Sequence, residues 1–453
     1  MKYDYQLVII GAGSGGITAA EFAGKLGLTR VALVEKDKRL GGECLHTGCV
    51  PSKALLHAAK HGVKDPWKHV KKSIDFIEKR TDNAENIESH GVKVITGAAE
   101  FEDKHTIKVG RKKITSKYFL ITTGSSPFVP PIPGIEDVKY RTNESIFSLK
   151  KAPKSLAIIG SGPIGIEMAT AFSALGTKVT VIERGDKILG RLDQEAADLV
   201  VKGLKKAGVT LLTGVMETSV SNEKKLIAIK AGKKSFKVEE LLVATGRKPN
   251  TGSLQLENAG IKYDRTGILI DKYLRTNKKN IYAVGDVTPS PKFTHTAGNQ
   301  AAIALANMIT PLYNTNAQRL QVAPAITFSW PEVGSFGMTV DEAMKVDGAK
   351  ILHYNLTEND RAVTDEEADG FVKVVVDKKG RLLSGVVAAG NAAELMGPLL
   401  LMYGNKKPIT TLSHAVFPYP TVLGSLSLIN ADYGLEKVLA IPGWNRLTKK
   451  WKK

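Results

Sequence analysis

The chain has 453 residues, 43% of them hydrophobic and 24% charged, the balance of a folded, water-soluble protein about three domains long at roughly 150 residues each. Lys and Arg number 64 against 45 Asp and Glu, a formal net charge of +19. That surplus suits nucleic acid, an anionic membrane or a phosphorylated cofactor, and alone it separates none of them. Cys44 and Cys49 are the only cysteines, which excludes a disulfide-stapled secreted scaffold.

No targeting signal is expected: the apolar run from Leu7 to Ile10 is too short for a signal-peptide core and runs into glycines. The most apolar long stretch, 385–404, is interrupted by Asn391, Glu394 and Pro398, so no membrane span is expected. The reading is a cytoplasmic protein, with at most a peripheral membrane contact.

The element pattern begins with a strand, Tyr5 to Ile10, that enters the glycine turn Gly11-Ala-Gly13-Ser14-Gly-Gly16. A helix over Ile17–Leu26 follows, and then a second strand, Val31–Glu35, with a carboxylate at its end. The same grammar returns at Ser155-Leu-Ala-Ile-Ile-Gly160-Ser-Gly162-Pro-Ile-Gly165, a helix over Ile166–Leu175, and a strand from Lys178 ending at Glu183. Each is a βαβ unit with G-x-G-x-x-G and an acidic residue about 20 residues further on. Gly11 and Gly160 make the tight turn, and Gly13 and Gly162 let the backbone approach a pyrophosphate. Gly16 and Gly165 let helix and strand pack closely, while Glu35 and Glu183 can accept from ribose hydroxyls. Two such units imply two dinucleotides.

Two further apolar strands end in Thr-Gly, at Gly124 and at Gly246, the second running on as Arg-Lys-Pro-Asn. The stretch Thr276–Asp286 reads as another strand ending in Gly285-Asp286. From about Pro324, with strands expected at Phe371–Asp377 and Leu383–Ala389, no glycine fingerprint recurs, and a separate α+β domain is expected.

The stretch 41–53, GGECLHTGCVPSK, holds both cysteines. A tight loop through Gly48 would bring them within disulfide geometry. A metal site would want a second ligand pair that the chain lacks, so no metal is expected. In a cytosolic protein a pair this close reads as transient and catalytic. Pro51 fits a first helical turn, whose N-terminus would lower a nearby thiol pKa.

In order along the chain, the first fingerprint, GGECLHTGCVPSK, GSGPIGIE, ATGRKPN and YAVGD resemble the class I pyridine nucleotide-disulfide oxidoreductases. The resemblance covers nearly the whole chain and is closest to the branch holding mercuric reductase and dihydrolipoyl dehydrogenase, from NDRAVTDEEADGFVKVVVD and FPYPT. It implies an α/β fold with two Rossmann-like domains and a C-terminal α+β dimerisation domain, working as a homodimer. The expected layout is an FAD-binding domain over 1–150, an NAD(P)-binding domain over 151–270, a returning FAD-binding or central part over 271–323, a dimerisation domain over 324–440 and a basic tail over 441–453. By the same resemblance Gly11, Gly13, Ser14, Gly16, Glu35, Gly124 and Asp286 hold FAD, and Gly160, Gly162, Gly165, Glu183 and Gly246 hold the nicotinamide nucleotide. Lys53 and Glu167 match the family's ion pair beside the flavin. Cys49 matches the thiol nearest the flavin and Cys44 the one that exchanges with substrate. Hydride would pass from NAD(P)H to FAD, to the disulfide and on to a small-molecule acceptor. Glu183 favours NADH over NADPH, although Arg184 beside it could receive a 2′-phosphate.

One motif departs from the family. Its disulfide reductases end in a motif like His-Pro-Thr-x-x-Glu, whose His is the acid–base for thiol exchange; here Tyr419-Pro-Thr-Val-Leu-Gly424 stands in its place. A phenol near pKa 10 is a poor base at neutral pH. Tyr419, His46 and His414 are candidate substitutes, and the acceptor stays open among a soft metal ion, a small disulfide, a quinone and oxygen. The alternative is a flavoprotein that has lost disulfide exchange and serves as an electron-transfer or NADH-sensing partner at a membrane surface. The tail from Ile441, with five basic residues and two Trp, suits an anionic membrane, a solvated end being the simpler reading. No aromatic-interleaved basic stripe points to specific nucleic-acid binding.

Overall fold

The computed structural model describes residues 3–310, 315–317 and 323–444. They form two compact units, Met1–Asp186 with Val209–Ala323, and Lys187–Gly208 with Pro324–Lys453.

In the first unit, β1 (Tyr5–Ile10), β2 (Val31–Glu35) and β3 (Val92–Thr96) lie in a parallel sheet of order β3-β2-β1, continued by Lys112–Ile121 and Ile281–Ala283. Strands buried on both faces read as continuous apolar runs, and β1 shows why. Leu7 and Ile9 pack into a cluster with Ala19, Ala20 and Ala23 of α1 (Ser14–Lys25) and Ala301, Ala304 and Leu305 of the helix Thr294–Ile309. Val8 and Ile10 enter the opposite layer, with Phe101 and Phe119.

The turn between β1 and α1 is set by contact distances. A Cβ on Gly16 would lie 1.8 Å from the Gly11 carbonyl oxygen, whereas one on Gly13 meets nothing within 4 Å. The Thr122 hydroxyl locks the turn by donating to the Gly11 carbonyl at 2.6 Å. The second sheet repeats the design in the order Thr210–Leu212, Lys178–Ile182, Ser155–Ile159, Glu240–Val243, all parallel. There a Cβ on Gly165 would stand 2.1 Å from the Gly160 carbonyl oxygen. Both expected helices begin earlier than apolar periodicity indicates, at Ser14 and at Pro163. Small residues carry the first turn without an apolar stripe, and Pro163 suits a first helical position.

The stretch 276–286 is mostly not strand. Only Ile281–Ala283 pairs in the sheet. Thr276 turns the chain by accepting from the Lys278 amide at 3.0 Å, and Gly285–Val287 forms a short helical turn with Gly285 at φ +72°.

The second unit holds an antiparallel sheet in the order Ala325–Thr327, Glu332–Gly337, Leu382–Ala389, Phe371–Val376, Lys350–Asn355. The helices Ala392–Gly404 and Gly424–Leu439 share its core through Leu395, Met396, Leu399, Leu426 and Ile429. The helix Gln194–Lys206 belongs to this unit too: Lys373 pairs with Asp193 at 3.0 Å and with Glu195 at 2.6 Å. Among the described residues no helix is long and apolar enough to cross a membrane. The basic tail from Asn445 onward lies outside them.

Replacing Gly16 by Ala forces a backbone shift that costs about 1–3 kcal/mol, as overpacking does. Gly13→Ala, at an extended position with open space, is expected to stay within about 0.5 kcal/mol of the unaltered chain, as substitutions away from packed sites usually do. Denaturant unfolding of the two variants checks the contrast.

Candidate active site

Cys44 lies in the short helix α2 (Gly42–His46), and Cys49 is the first residue of α3 (Cys49–Lys60). Gly41 and Gly42, at φ +101° and +56°, turn the chain into α2, and Gly48 lets it return close to Cys44, since a Cβ there would lie 3.0 Å from the Glu43 carbonyl oxygen and 3.4 Å from the Cys44 Cα. Pro51 falls in the first turn of α3, where its missing N–H costs nothing. Both cysteines are free thiols, with Cys49 exposed.

The two thiols are hydrogen-bonded to each other and split in character. The bond donated by Cys44 is the main reason Cys49 is held down to about 6. Burial and the Glu167 charge oppose that; the Thr294 hydroxyl, 3.2 Å from the Cys49 sulfur, and the Lys53 charge support it. Cys44 moves the other way, above the usual thiol range, because its proton is engaged by Cys49 and because it is buried beside that charge. The Ser14 hydroxyl at the start of α1 also bonds to Cys44. Reduced, the pair is therefore a Cys44 thiol donating to a Cys49 thiolate.

Lys53 stands one turn after Cys49 on the same helix face. Its ammonium donates to both Glu167 oxygens at 2.7 and 2.8 Å, and the Glu167 side chain is only 6% exposed. This pair joins α3 to the helix Pro163–Ala174 of the second glycine unit.

The two glycine turns fit dinucleotides. At each, the helix begins without a side-chain cap, and the space beside Gly13 and Gly162 is open. Glu35 accepts from the Ala12 amide at 2.6 Å, and Glu183 from the Ser161 amide and hydroxyl at 2.9 and 2.6 Å. Burial works against the charge on Glu183, yet bonds from Ser161 and the Gly185 amide hold it below the usual carboxylate range. Gly124 and Gly246 sit at positive φ with nothing within 4 Å of a Cβ. Beyond them Arg247–Pro249 pairs with Ser125–Pro127.

That short pairing carries a polar chain of which sequence reasoning identified only one member, Asp286. Both guanidinium nitrogens of Arg247 bond to Glu43, the residue before Cys44, and its Nε donates to the Ser125 hydroxyl at 2.8 Å. Ser125 in turn donates to Asp286 at 2.7 Å. Asn143 donates to Glu43 at 2.7 Å and to the Thr47 carbonyl at 3.2 Å. Burial pushes the Glu43 carboxyl above its usual range against the pull of Arg247. A charged residue inside a glycine-rich turn was the available signal for Glu43; nothing local marks Asn143 or Thr294.

His46 has its Nε2 2.6 Å from the Leu40 carbonyl, a bond that turns it to the backbone. In the second unit, the exposed His414 ends the helical turn Ile409–His414, and Tyr419, 82% exposed, donates its phenol to Asp360 at 2.8 Å. Asp360 raises the phenol further from neutrality. Among the described residues no group of three or more His, Cys, Asp or Glu is set to hold a metal ion.

Two dinucleotide cradles and a polarised dithiol flanked by a Lys–Glu pair define a nucleotide-dependent thiol–disulfide oxidoreductase. Comparison with known proteins names the family. Residues 5–301 match the pyridine nucleotide-disulphide oxidoreductases and residues 323–427 their dimerisation domain. The chain belongs to that family, is a flavoprotein oxidoreductase and uses FAD. It is 35% identical to a mercuric reductase of Bacillus cereus over 94% of this chain and 71% of that protein. It is 34% identical to a dihydrolipoyl dehydrogenase of Buchnera aphidicola, over 93% of this chain and 94% of that protein. Among solved structures it resembles the HOCl-induced flavoprotein disulfide reductase RclA of Escherichia coli, at TM-score 0.88 and 29% identity over 94% of this chain and 99% of that one. The Cu(II) complex of RclA superposes equally well, at 0.88. The dimerisation domain supports a homodimer.

With Cys49 held near 6, its thiolate forms as pH rises through that value, well before an ordinary thiol near 8.5. Iodoacetamide trapping of the reduced protein is therefore expected to reach half its maximal rate near pH 6. In Cys44→Ala, which removes the donated hydrogen bond, the midpoint is expected to move up. An ordinary midpoint in the unaltered protein contradicts the assignment.

Proposed function

We propose that the chain oxidises NADH and delivers two electrons through the Cys44–Cys49 disulfide to a soft metal ion such as Hg(II) or Cu(II). The observation that carries this reading is Tyr419 on Asp360, at the position that resembles the family's acid–base His. A phenol whose proton is held more tightly offers no base for a small-molecule thiol, so glutathione and lipoamide are poor matches. A metal ion bound by sulfur takes electrons without a leaving thiolate and suits soft thiolate ligands. The relatives named mercuric reductase and the Cu(II) complex of RclA support the same class.

FAD, when bound, supplies two-electron transfer between nicotinamide and sulfur. The chain's own residues do the rest. Two electrons and one proton break the Cys44–Cys49 bond, leaving the proton on Cys44 and the negative charge on Cys49. Lys53, fixed by Glu167, and the Thr294 hydroxyl hold that charge in place. Delivery of two electrons to one Hg(II), or to two Cu(II), re-forms the S–S bond and releases the Cys44 proton.

Glu183 supports NADH. Held ionised by Ser161 and Gly185, it accepts from a ribose hydroxyl and repels a 2′-phosphate.

Steady-state assays with purified protein test both parts. NADH is expected to exceed NADPH in kcat/KM by about tenfold, the discrimination of one charged contact near 1.4 kcal/mol. Turnover of glutathione disulfide and lipoamide is expected to lie about 10²-fold or more below metal-ion reduction, the low end of a general acid–base contribution. Tyr419→His is expected to raise it, and Cys44→Ser to abolish metal reduction. Fast turnover of small disulfides by the unaltered protein overturns the acceptor class.

A further inference from the structure

We propose that Glu43 is a positioning residue that, through Arg247 and Asn143, holds the turn carrying Cys44 in register with Cys49 and so sets the stability of their disulfide. The proposal rests on the reading of that pair as the electron store.

The turn needs an external hold. Its helix α2 spans only Gly42–His46, too short to stand on its own backbone bonds. Glycines bound it: Gly41 before it and Gly42 as its first residue, both at positive φ, and Gly48 shortly after it. Such residues lend the chain freedom rather than rigidity, yet a disulfide requires the two Cβ atoms within about 3.5–4.5 Å.

The hold comes from side chains far along the chain. Asn143, 6% exposed, uses one amide group to grip the short helix on both sides of Cys44, the Glu43 carboxylate at 2.7 Å and the Thr47 carbonyl at 3.2 Å. Arg247, 14% exposed, takes both carboxylate oxygens of Glu43, the fork geometry that makes a guanidinium directional. Arg247 is itself fixed by the Ser125 carbonyl at 2.7 Å and hydroxyl at 2.8 Å, with Asp286 3.4 Å away. The Lys292 ammonium donates to the Asp286 carbonyl at 2.7 Å. Five separate segments, around Glu43, Ser125, Asn143, Arg247 and Asp286, thus meet one residue away from Cys44. Glu43 does not join the thiol network of Cys44, Cys49, Ser14 and Thr294; it acts on the backbone that carries Cys44.

The consequence is an effective concentration. A Cys44 held beside Cys49 closes the disulfide more readily than one on a loose glycine-flanked turn, and a disulfide closed this way is harder to reduce. The measurement is the equilibrium of the FAD-loaded protein with dithiothreitol at pH 8. Dithiothreitol gives up two electrons and closes its ring disulfide as the Cys44–Cys49 bond opens, and protein thiols are counted by alkylation. Glu43→Gln, which keeps the shape and removes the charge, is expected to shift the equilibrium toward the dithiol about tenfold, equal to 29.6 mV for a two-electron couple. Arg247→Lys is expected to shift it in the same direction, and the double variant to add little, since both remove one interaction. Thermal unfolding and FAD content, followed alongside, identify any variant that fails to fold; Asn143→Ala then serves in its place.

An unshifted equilibrium in folded Glu43→Gln and Arg247→Lys, or fully additive shifts in the double variant, overturns the proposal. If the unaltered protein forms no Cys44–Cys49 disulfide under any dithiothreitol ratio, the redox reading itself fails instead.

Discussion

A carboxylate is not buried without a partner, and Glu167 has Lys53. Lys53, its side chain 35% exposed, bonds both oxygens of the Glu167 carboxylate, which is only 6% exposed, so its ammonium offsets the cost of burying that charge. The pair therefore ties α3, which begins with Cys49, to the helix that opens from the second glycine turn. Cys49, Lys53 and Glu167 then form one rigid row: thiol, cation one helical turn on, carboxylate beyond. The split between the two thiols follows first from the hydrogen bond that Cys44 donates to Cys49, with the Thr294 hydroxyl and the Lys53 charge in support and the Glu167 charge opposed. Charge collects on Cys49, beside Lys53, and the proton stays on Cys44.

The legible part of the fold is its local part. β1, the Gly11–Gly16 turn and α1 announce themselves because a buried parallel strand is continuously apolar and because the backbone contact at Gly16 leaves no room for a side chain. The repeat of that grammar 149 residues later, from Gly11 to Gly160, made the α/β class readable without coordinates. Thr276–Asp286 misled because the apolar run Ile281–Val284 says nothing of the Thr276 turn that shortens the strand to Ile281–Ala283. The helix Gln194–Lys206 meets Lys373 across 180 positions through Asp193, a pairing of surface-type charges that no local pattern encodes.

The same divide runs through the site. Cys44 and Cys49 are five positions apart, so their pairing could be read from the chain, and Lys53 follows by helical spacing. Glu43 and Arg247 are 204 positions apart, and Cys49 and Thr294 are 245 apart; only the fold brings them together. Tyr419 was recognisable as a departure from the family motif. Its partner Asp360, 59 positions away, turns that departure into chemistry: the phenol is anchored as a donor instead of freed as a base. His46, placed between the cysteines by sequence, has its Nε2 on the Leu40 carbonyl, a backbone partner that no local pattern announces.

The central claim is that electrons rest on the cysteine pair, with the charge on Cys49. An anaerobic titration of the FAD-loaded protein with NADH, followed by absorbance and run beside Cys49→Ser, tests it most directly. The account predicts a long-wavelength thiolate-to-flavin charge-transfer band in the unaltered protein and its absence in Cys49→Ser. Bleaching of the flavin without that band, identical in both proteins, would contradict it and leave the cysteines structural.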